Sequence, residues 1–117
     1  MGGKRGDRIA PPRQPGGWEA RFATSEAAKG WEELCQAAPA NTWEAWVALT
    51  ERPVRPENPA RQHRLRGSLG CRVVGGQTFD QWQYEVTAGG RVWYCPDPDR
   101  MIVWVVAAST RHPKATE

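Results

Sequence analysis

The sequence predicts an α+β fold, and three observations support this prediction. Residues 18–24, WEARFAT, alternate apolar and polar side chains as a half-buried strand does. Residues 25–52 then contain two apolar stripes of helical period, separated by a break at Pro39. Residues 81–108 contain three strand-like segments joined by short turn sequences. Because consecutive strands with short turns pair antiparallel, we predict an N-terminal strand, an αα-hairpin and then a three-stranded antiparallel meander.

The two predicted helices have recognisable beginnings and ends. Ser25 is a residue type that caps helix N-termini, and Asn41 is suited to cap the second helix. The second helix is predicted to end before Pro53, because the residue before a proline disfavours helical backbone angles. The side chains predicted to face inward are Ala27, Trp31 and Leu34 in the first helix and Trp43, Trp46 and Val47 in the second.

The C-terminal half is predicted to change from loop to sheet. Residues 53–77 begin with three prolines and end with four glycines, so we predict mostly irregular structure, with Leu65 and Leu69 as anchors. The sequence PDPD at 96–99 is predicted to be a turn, because proline cannot donate a hydrogen bond inside a central strand. The meander strands are predicted over residues 81–86, 91–95 and 101–108.

Length and charge predict one domain with a localised cationic surface. The chain has 117 residues and a net charge of +3. Residues 1–17 are rich in Gly, Pro and Arg, so we predict a flexible basic tail before a single domain over 18–117. Residues 25–51 carry a charge of −4, whereas residues 52–72 carry +5. This uneven distribution indicates one anion-binding surface, although a solvated charged loop would have the same composition.

Several classes of protein are disfavoured. No apolar run reaches the roughly 20 residues of a membrane span, and the basic N-terminus has no apolar core of a signal peptide. The cysteines Cys35, Cys71 and Cys95 are widely spaced, which is typical of reduced thiols in the cytoplasm. HExxH, P-loop, GxSxG and GxGxxG motifs are absent. We therefore predict no metal, no cofactor and no membrane association.

Basic residues recur at one expected end of the sheet. In an antiparallel meander, the start of one strand lies beside the end of the next, so Arg91 and Arg111 are predicted to be neighbours. One arginine guanidinium group can contact two phosphate oxygens at once, and the Trp and Tyr side chains could stack on bases. The alternative interpretation is that Arg91 and Arg111 merely flank the core or pair with acidic residues. The other cations considered for this surface are Arg61, Arg64, Arg66 and Lys114.

The two histidines, His63 and His112, are candidates for proton transfer. An imidazole titrates near neutral pH and so can act as an acid or a base. His63 lies in a polar loop, where a histidine is more often a plain surface residue. His112 lies between cations at the end of the last strand, which favours a functional role.

Four segments, in their order and spacing, resemble the toxins of the RelE/ParE superfamily. They are HRLRGSL (63–69), WQYEV (82–86), GRVWYC (90–95) and VWVVAASTRH (103–112). These toxins have a Leu-x-Gly element, a strand, a strand that opens with Arg and continues to Tyr, and a final apolar strand that ends in a basic segment. The resemblance covers roughly residues 18–112 and implies the toxin of a type II toxin–antitoxin pair.

The resemblance implies a metal-independent cleavage of mRNA on the ribosome, by attack of a ribose 2′-OH on the adjacent phosphate. Arg91 would hold the scissile phosphate, and Arg111 would stabilise the charged transition state. His112 matches the position of an acid or base in some relatives. The residues that would hold RNA are Arg61, His63, Arg64, Arg66 and Lys114. The implied partners are mRNA, the ribosome and an antitoxin, in a hetero-oligomer.

The sequence also departs from the family pattern. Lysines common on the strand before the hairpin are replaced here by Gln83 and Glu85, and the C-terminal Tyr of many family nucleases is absent. The general base is therefore one of Glu85, His63 and His112. A ParE-like inhibitor of DNA gyrase and a non-catalytic RNA- or protein-binding module remain alternatives.

Overall fold

The computed structural model describes residues 3–9 and 12–111 of the chain. The described residues contain two α-helices, seven β-strands and a short 3-10 turn at Gly67–Leu69. The coarse α+β prediction is confirmed. In chain order the elements are β1 (Glu19–Phe22), α1 (Ser25–Ala37), α2 (Pro39–Glu51), β2 (Gln62–Arg64), β3 (Cys71–Val74), β4 (Gln77–Asp80), β5 (Trp82–Glu85), β6 (Arg91–Asp97) and β7 (Ile102–Ser109).

Five of these strands form one mixed sheet in the order β1-β7-β6-β5-β2. β7, β6, β5 and β2 pair antiparallel, whereas β1 pairs parallel to β7. The parallel pair follows from the chain path, because the two helices separate β1 from the rest of the sheet. β3 and β4 form a separate antiparallel hairpin.

The helices cover one face of the sheet and form the larger core with it. Leu34 and Leu49 from the helices pack in one cluster with Tyr94, Val103 and Val105 from β6 and β7. α1 lies very close to β7 at Gly30, where a Cβ atom would stand 1.8 Å from the carbonyl oxygen of the β7 residue Ala108. Only glycine permits this approach of helix to strand.

The helix ends differ by one or two residues from the sequence prediction. Thr24, rather than Ser25, caps α1, since its hydroxyl oxygen accepts a hydrogen bond from the Ala27 amide at 2.9 Å. α2 begins with Pro39 in its first turn, where a missing N–H costs nothing. Asn41 therefore does not cap α2, and its side-chain amide donates to the Val86 carbonyl oxygen at 2.9 Å.

Trp43 does not face inward as predicted. Its side chain is 55% exposed and stacks on the buried Trp46, with ring centroids 5.2 Å apart. Only Trp46 reaches the core cluster.

Most of residues 53–77 lie outside helices and strands, as predicted, but the prediction missed β2, β3 and the start of β4. The hairpin of β3 and β4 turns at Gly75 and Gly76, whose φ angles of 58° and 81° suit a two-residue turn. Its strands are largely exposed, and Phe79 is its one buried side chain. Strands with so little burial lack the alternation by which sequence reasoning finds them.

The hairpin packs on the sheet face opposite the helices. A second cluster forms there from Phe79 of the hairpin, Trp93 and Cys95 of β6, and Val106 of β7. The molecule thus has a helix layer, a sheet and a partial third layer. Arg91, at one end of the sheet, is not part of this cluster.

The predicted turn at PDPD begins two residues later than expected. β6 continues through Pro96 to Asp97, and the turn lies at residues 98–101. The neighbouring strand β5 ends its pairing at Trp82, opposite Tyr94, so no β5 ladder continues beside Pro96. A proline is tolerated in a strand where one side of the ladder has ended.

The N-terminal segment, for which we predicted a flexible tail, lies along the outer edge of β1 in its described residues. The Ile9 amide donates to the Ala20 carbonyl oxygen at 2.8 Å, and the Gly6 amide donates to the Phe22 carbonyl oxygen at 2.7 Å. Ile9 is 3% exposed and joins the core under the helices. Residues 3–9 therefore cover an edge that β1 would otherwise leave open.

Within the described ranges, no helix has the length and apolar character needed to cross a membrane.

Candidate functional site

Strand pairing aligns four residues in a row across one end of the sheet. Glu85 pairs with Arg91, and Arg91 pairs with Ser109 on the next strand. On the other side, the Glu85 amide donates to the Arg61 carbonyl oxygen at 2.8 Å. Opposite residues in antiparallel strands project from the same face. Arg61, Glu85, Arg91 and Ser109 therefore share the face that the hairpin only partly covers.

A second row follows on the same face. His63 pairs with Gln83, and Gln83 pairs with Trp93. The indole N–H of Trp93 donates to the Gln83 side-chain oxygen at 2.9 Å, and both side chains are buried. His63 stays partly exposed. Since Glu85 is two residues from Gln83, the Cα atoms of His63 and Glu85 are diagonal neighbours, about 7–8 Å apart.

Arg91 is buried, and its side chain holds the turn that precedes β6. Its side chain is 8% exposed. The Nη1 atom donates to the carbonyl oxygens of Thr87, Ala88 and Gly90 at 3.0, 3.2 and 3.1 Å. The Nη2 atom lies 3.7 Å from the Glu85 Oε1. A guanidinium group with these contacts positions Glu85 and the turn, and it offers a phosphate little open surface.

Glu85 is the accessible member of this pair. Its side chain is 34% exposed, compared with 8% for Arg91. The carboxylate is thus open to solvent on one side and faces a fixed cation on the other. A carboxylate held in this way can accept a hydrogen bond or a proton from a bound group.

Arg111 follows the end of β7, close to the first row. Its amide donates to the Ser109 hydroxyl oxygen at 3.0 Å, and Ser109 pairs with Arg91. Arg111 is exposed, in contrast to Arg91. The expected proximity of the two arginines therefore holds for the backbone, but only Arg111 presents its charge to solvent. His112 and Lys114 lie outside the described residues.

Arg64, the last residue of β2, and Arg66 line a separate open groove of about 570 Å³. Arg64 forms an ion pair with Asp80, with 2.9 Å between Nη2 and Oδ1, and both side chains are half exposed. Arg66 is exposed. His63 lines this groove as well as belonging to the second row, so it connects the two cationic regions. The remaining lining residues are Leu65, Gly67, Gly70 and Cys71.

Sequence reasoning named Arg61, His63, Glu85 and Arg91 but did not predict the contacts of Arg91 with the preceding turn. The signal was present, because an arginine that directly follows a Thr-Ala-Gly-Gly turn has several turn carbonyl oxygens within reach. The buried pair of Gln83 and Trp93 was missed, since nothing in the sequence shows which polar side chain a buried indole contacts.

Burial determines the ionisation of the Cys95 thiol. Cys95 lies two strand positions beyond Trp93 on the same face and is 0% exposed. Loss of hydration raises the pKa of Cys95 from 9.0 to about 12. The thiol is therefore a neutral part of the core and cannot serve as a nucleophile. The described residues also contain no group of three His, Cys, Asp or Glu side chains arranged to hold a metal.

The described residues form an α+β domain in which the row of Arg61, Glu85 and Arg91, with His63 beside it, lies at the open end of a mixed sheet. No protein-family model, no curated protein and no solved structure matches the chain significantly.

Proposed function

We propose that the chain is the toxin of a type II toxin–antitoxin pair and cleaves mRNA on the ribosome without a metal. The observation that supports this most strongly is the alignment of Glu85 on β5 and Arg91 on β6 with Arg61, which directly precedes β2. His63 stands diagonally beside Glu85 on the same face. These are the chemical groups that RNA cleavage by an internal 2′-OH requires.

The reaction has three requirements that these side chains can meet. A base removes the proton of the ribose 2′-OH, whose oxygen then forms a bond to the adjacent phosphorus. The bond from phosphorus to the 5′-oxygen breaks, and an acid protonates that oxygen. A cation stabilises the additional negative charge of the phosphorane. The products are a 2′,3′-cyclic phosphate and a free 5′-OH.

Glu85 and His63 are the candidate base and acid, because they are accessible and adjacent on one face. Arg61 and Arg111 are suited to stabilise the phosphate, since both retain exposed surface. Arg91 acts as a positioning residue, since its contacts are to Glu85 and to the turn. Compared with the expectation from sequence, the phosphate-binding function moves from Arg91 to Arg61 and Arg111.

The groove lined by Arg64 and Arg66 continues the cationic surface beyond His63. Phosphates on either side of the cleaved bond would contact these side chains, which contribute to affinity without reading the base sequence. An acidic antitoxin segment would compete for the same charges, and the ribosome as target implies a cytoplasmic location.

The test is inducible expression in bacteria, followed by mapping of mRNA 5′ ends. Glu85→Gln and the double variant Arg61→Gln/Arg111→Gln should both abolish codon-internal cuts and growth arrest. Lys29→Gln/Arg55→Gln is the matched control, because it removes two exposed charges outside the described site. Each variant should first be shown to be folded by its thermal unfolding.

Three results would contradict the proposal in different ways. Growth arrest with intact mRNA and a DNA-damage response would favour a ParE-like gyrase inhibitor. Unaffected growth would favour a non-catalytic binding module. Cuts that persist in Glu85→Gln and in the arginine double variant would show that the site lies elsewhere on the chain.

A further inference from the structure

A second concave surface lies at the opposite end of the same sheet face. It is a groove of about 500 Å³ between the hairpin of β3 and β4 and the strands β1 and β7. Trp104, which lines this groove, is five positions along β7 from Ser109, the β7 residue opposite Arg91. At roughly 3.3 Å per strand residue, Trp104 is about 16 Å from Ser109, and Val106, which also lines the groove, is about 10 Å from it. The groove is therefore separate from the proposed cleavage site.

The wall of the groove is aromatic and apolar. Phe22, Phe79, Trp104 and Val106 all line it. Phe22, Phe79 and Val106 are buried, whereas Trp104 is partly exposed. An indole ring with one accessible side is a platform on which a planar ring can stack.

The charged side chains among the described residues that line the groove are cationic. Arg5, Arg72 and Arg100 line the groove, and among the described residues no Asp or Glu does so. Arg72 is oriented by a hydrogen bond from Nη1 to the Gln81 side-chain oxygen at 3.2 Å. Arg100 is held by Asp97, with 2.7 Å between Nη1 and Oδ2. The Arg72 guanidinium group is thus oriented before any ligand binds, which lowers the entropy cost of binding, whereas the charge of Arg100 is balanced by Asp97.

From this combination we infer that the groove binds a nucleotide, with the base stacked on Trp104 and the phosphate held by Arg5 and Arg72. The volume lies in the range typical of sites for small molecules. Arginine contacts phosphate oxygens through paired N–H groups, which suits a terminal phosphate better than a single carboxylate. The nucleotide is either free or one unit of an RNA strand, because both present the same base and phosphate.

Isothermal titration calorimetry of the full chain tests this inference, with AMP, a short oligoadenylate, inorganic phosphate and an acidic Glu-Leu peptide as probes. Trp104→Leu removes the stacking surface, and Arg5→Gln/Arg72→Gln removes two cations from exposed positions without disturbing the core. The control is again Lys29→Gln/Arg55→Gln. We expect AMP affinity to fall about tenfold or more in each groove variant and to stay unchanged in the control.

The remaining outcomes are distinct. Similar affinity for AMP and the oligonucleotide would identify a free nucleotide as the ligand, whereas much tighter oligonucleotide binding would identify an RNA unit. Binding of phosphate as tight as that of AMP, binding of the peptide alone, or AMP binding unaffected by the groove variants would each overturn the inference. Glu85→Gln should still bind AMP normally, so failure of the cleavage proposal would leave this result intact.

Discussion

Arg91 and Glu85 face each other across β6 and β5, with the Nη2 atom 3.7 Å from the Oε1 atom. The same guanidinium group donates to three carbonyl oxygens of the preceding turn. One buried side chain thus couples the conformation of a turn to the position of an accessible carboxylate. The stability of this end of the sheet and its proposed chemistry therefore depend on the same residue.

Arg91→Gln should destabilise the protein as well as inactivate it. The substitution removes the charged donor from three turn carbonyl oxygens, one of them buried, and leaves Glu85 without its buried cation, which costs about 2–4 kcal/mol of the free energy of unfolding. Urea denaturation measures this loss. Arg111→Gln is the control, since Arg111 is exposed and should change stability by no more than about 0.5 kcal/mol. Equal stability of Arg91→Gln and the wild type would contradict the assigned contacts.

Gly30→Ala should be strongly destabilising, although alanine favours helix. The new Cβ would stand 1.8 Å from the Ala108 carbonyl oxygen, and backbone atoms of β7 cannot move aside without disturbing the sheet. We expect a loss of more than about 2 kcal/mol in the free energy of unfolding. Lys29→Ala is the matched control on the exposed side of α1 and should be nearly neutral. A stabilised Gly30→Ala protein would show that α1 and β7 are farther apart.

Tyr94→Phe should lower the free energy of unfolding, because it removes a buried hydroxyl group that makes two hydrogen bonds. The Tyr94 hydroxyl donates to the Pro53 carbonyl oxygen at 2.7 Å and accepts from the Gln62 side-chain amide at 2.9 Å. Its removal leaves the Pro53 carbonyl oxygen without this donor, at a cost of about 1–3 kcal/mol. The Gln62 amide keeps its second hydrogen bond, to the Arg52 carbonyl oxygen at 3.1 Å. Chemical denaturation of the variant provides the measurement. Trp82→Phe, at the ring that stacks on Tyr94, tests packing without altering these hydrogen bonds.

Cys71 and Cys95 should differ sharply in reactivity. Cys71 is exposed, whereas Cys95 is 0% exposed and its pKa is raised to about 12 by burial. Iodoacetamide at about pH 8 should therefore modify Cys71 quickly and Cys95 only after unfolding. Mass spectrometry of the two peptides, with and without denaturant, measures the ratio. Comparable rates in the native protein would be incompatible with a buried Cys95.

The same thiol predicts a loss of stability in alkali. Folding raises the pKa of Cys95 from 9.0 to about 12. As the pH rises above 9.0, the thiol therefore ionises in the unfolded chain before it ionises in the folded protein, which stabilises the unfolded state. The contribution of Cys95 to the stability of the folded state is complete below pH 9.0 and is lost progressively as the pH rises towards 12. Burial also raises the pKa of Tyr94, which acts in the same direction. Urea denaturation across this range should show a smaller decline for Cys95→Ala, and an unchanged slope would contradict it.

The sequence by itself determined the elements whose burial follows a simple period. Trp31 and Leu34 face the core as their helical spacing predicts, and Val103 and Val105 of the last strand are buried as its apolar run predicts. The presence of two helices and several strands followed from the same patterns. The exposed hairpin β3–β4 did not, because only Phe79 among its strand side chains is buried and a two-residue period needs a buried face.

The tertiary structure alone decided what each charged residue contacts. The order of the strands in the sequence predicted that Arg91 and Arg111 lie at one end of the sheet, and the strand register agrees with this for their backbones. It could not separate the buried guanidinium group from the exposed one, because that difference depends on a turn folding back over Arg91. Strand order is a local property of spacing and turns, whereas the environment of a long side chain depends on every element packed around it.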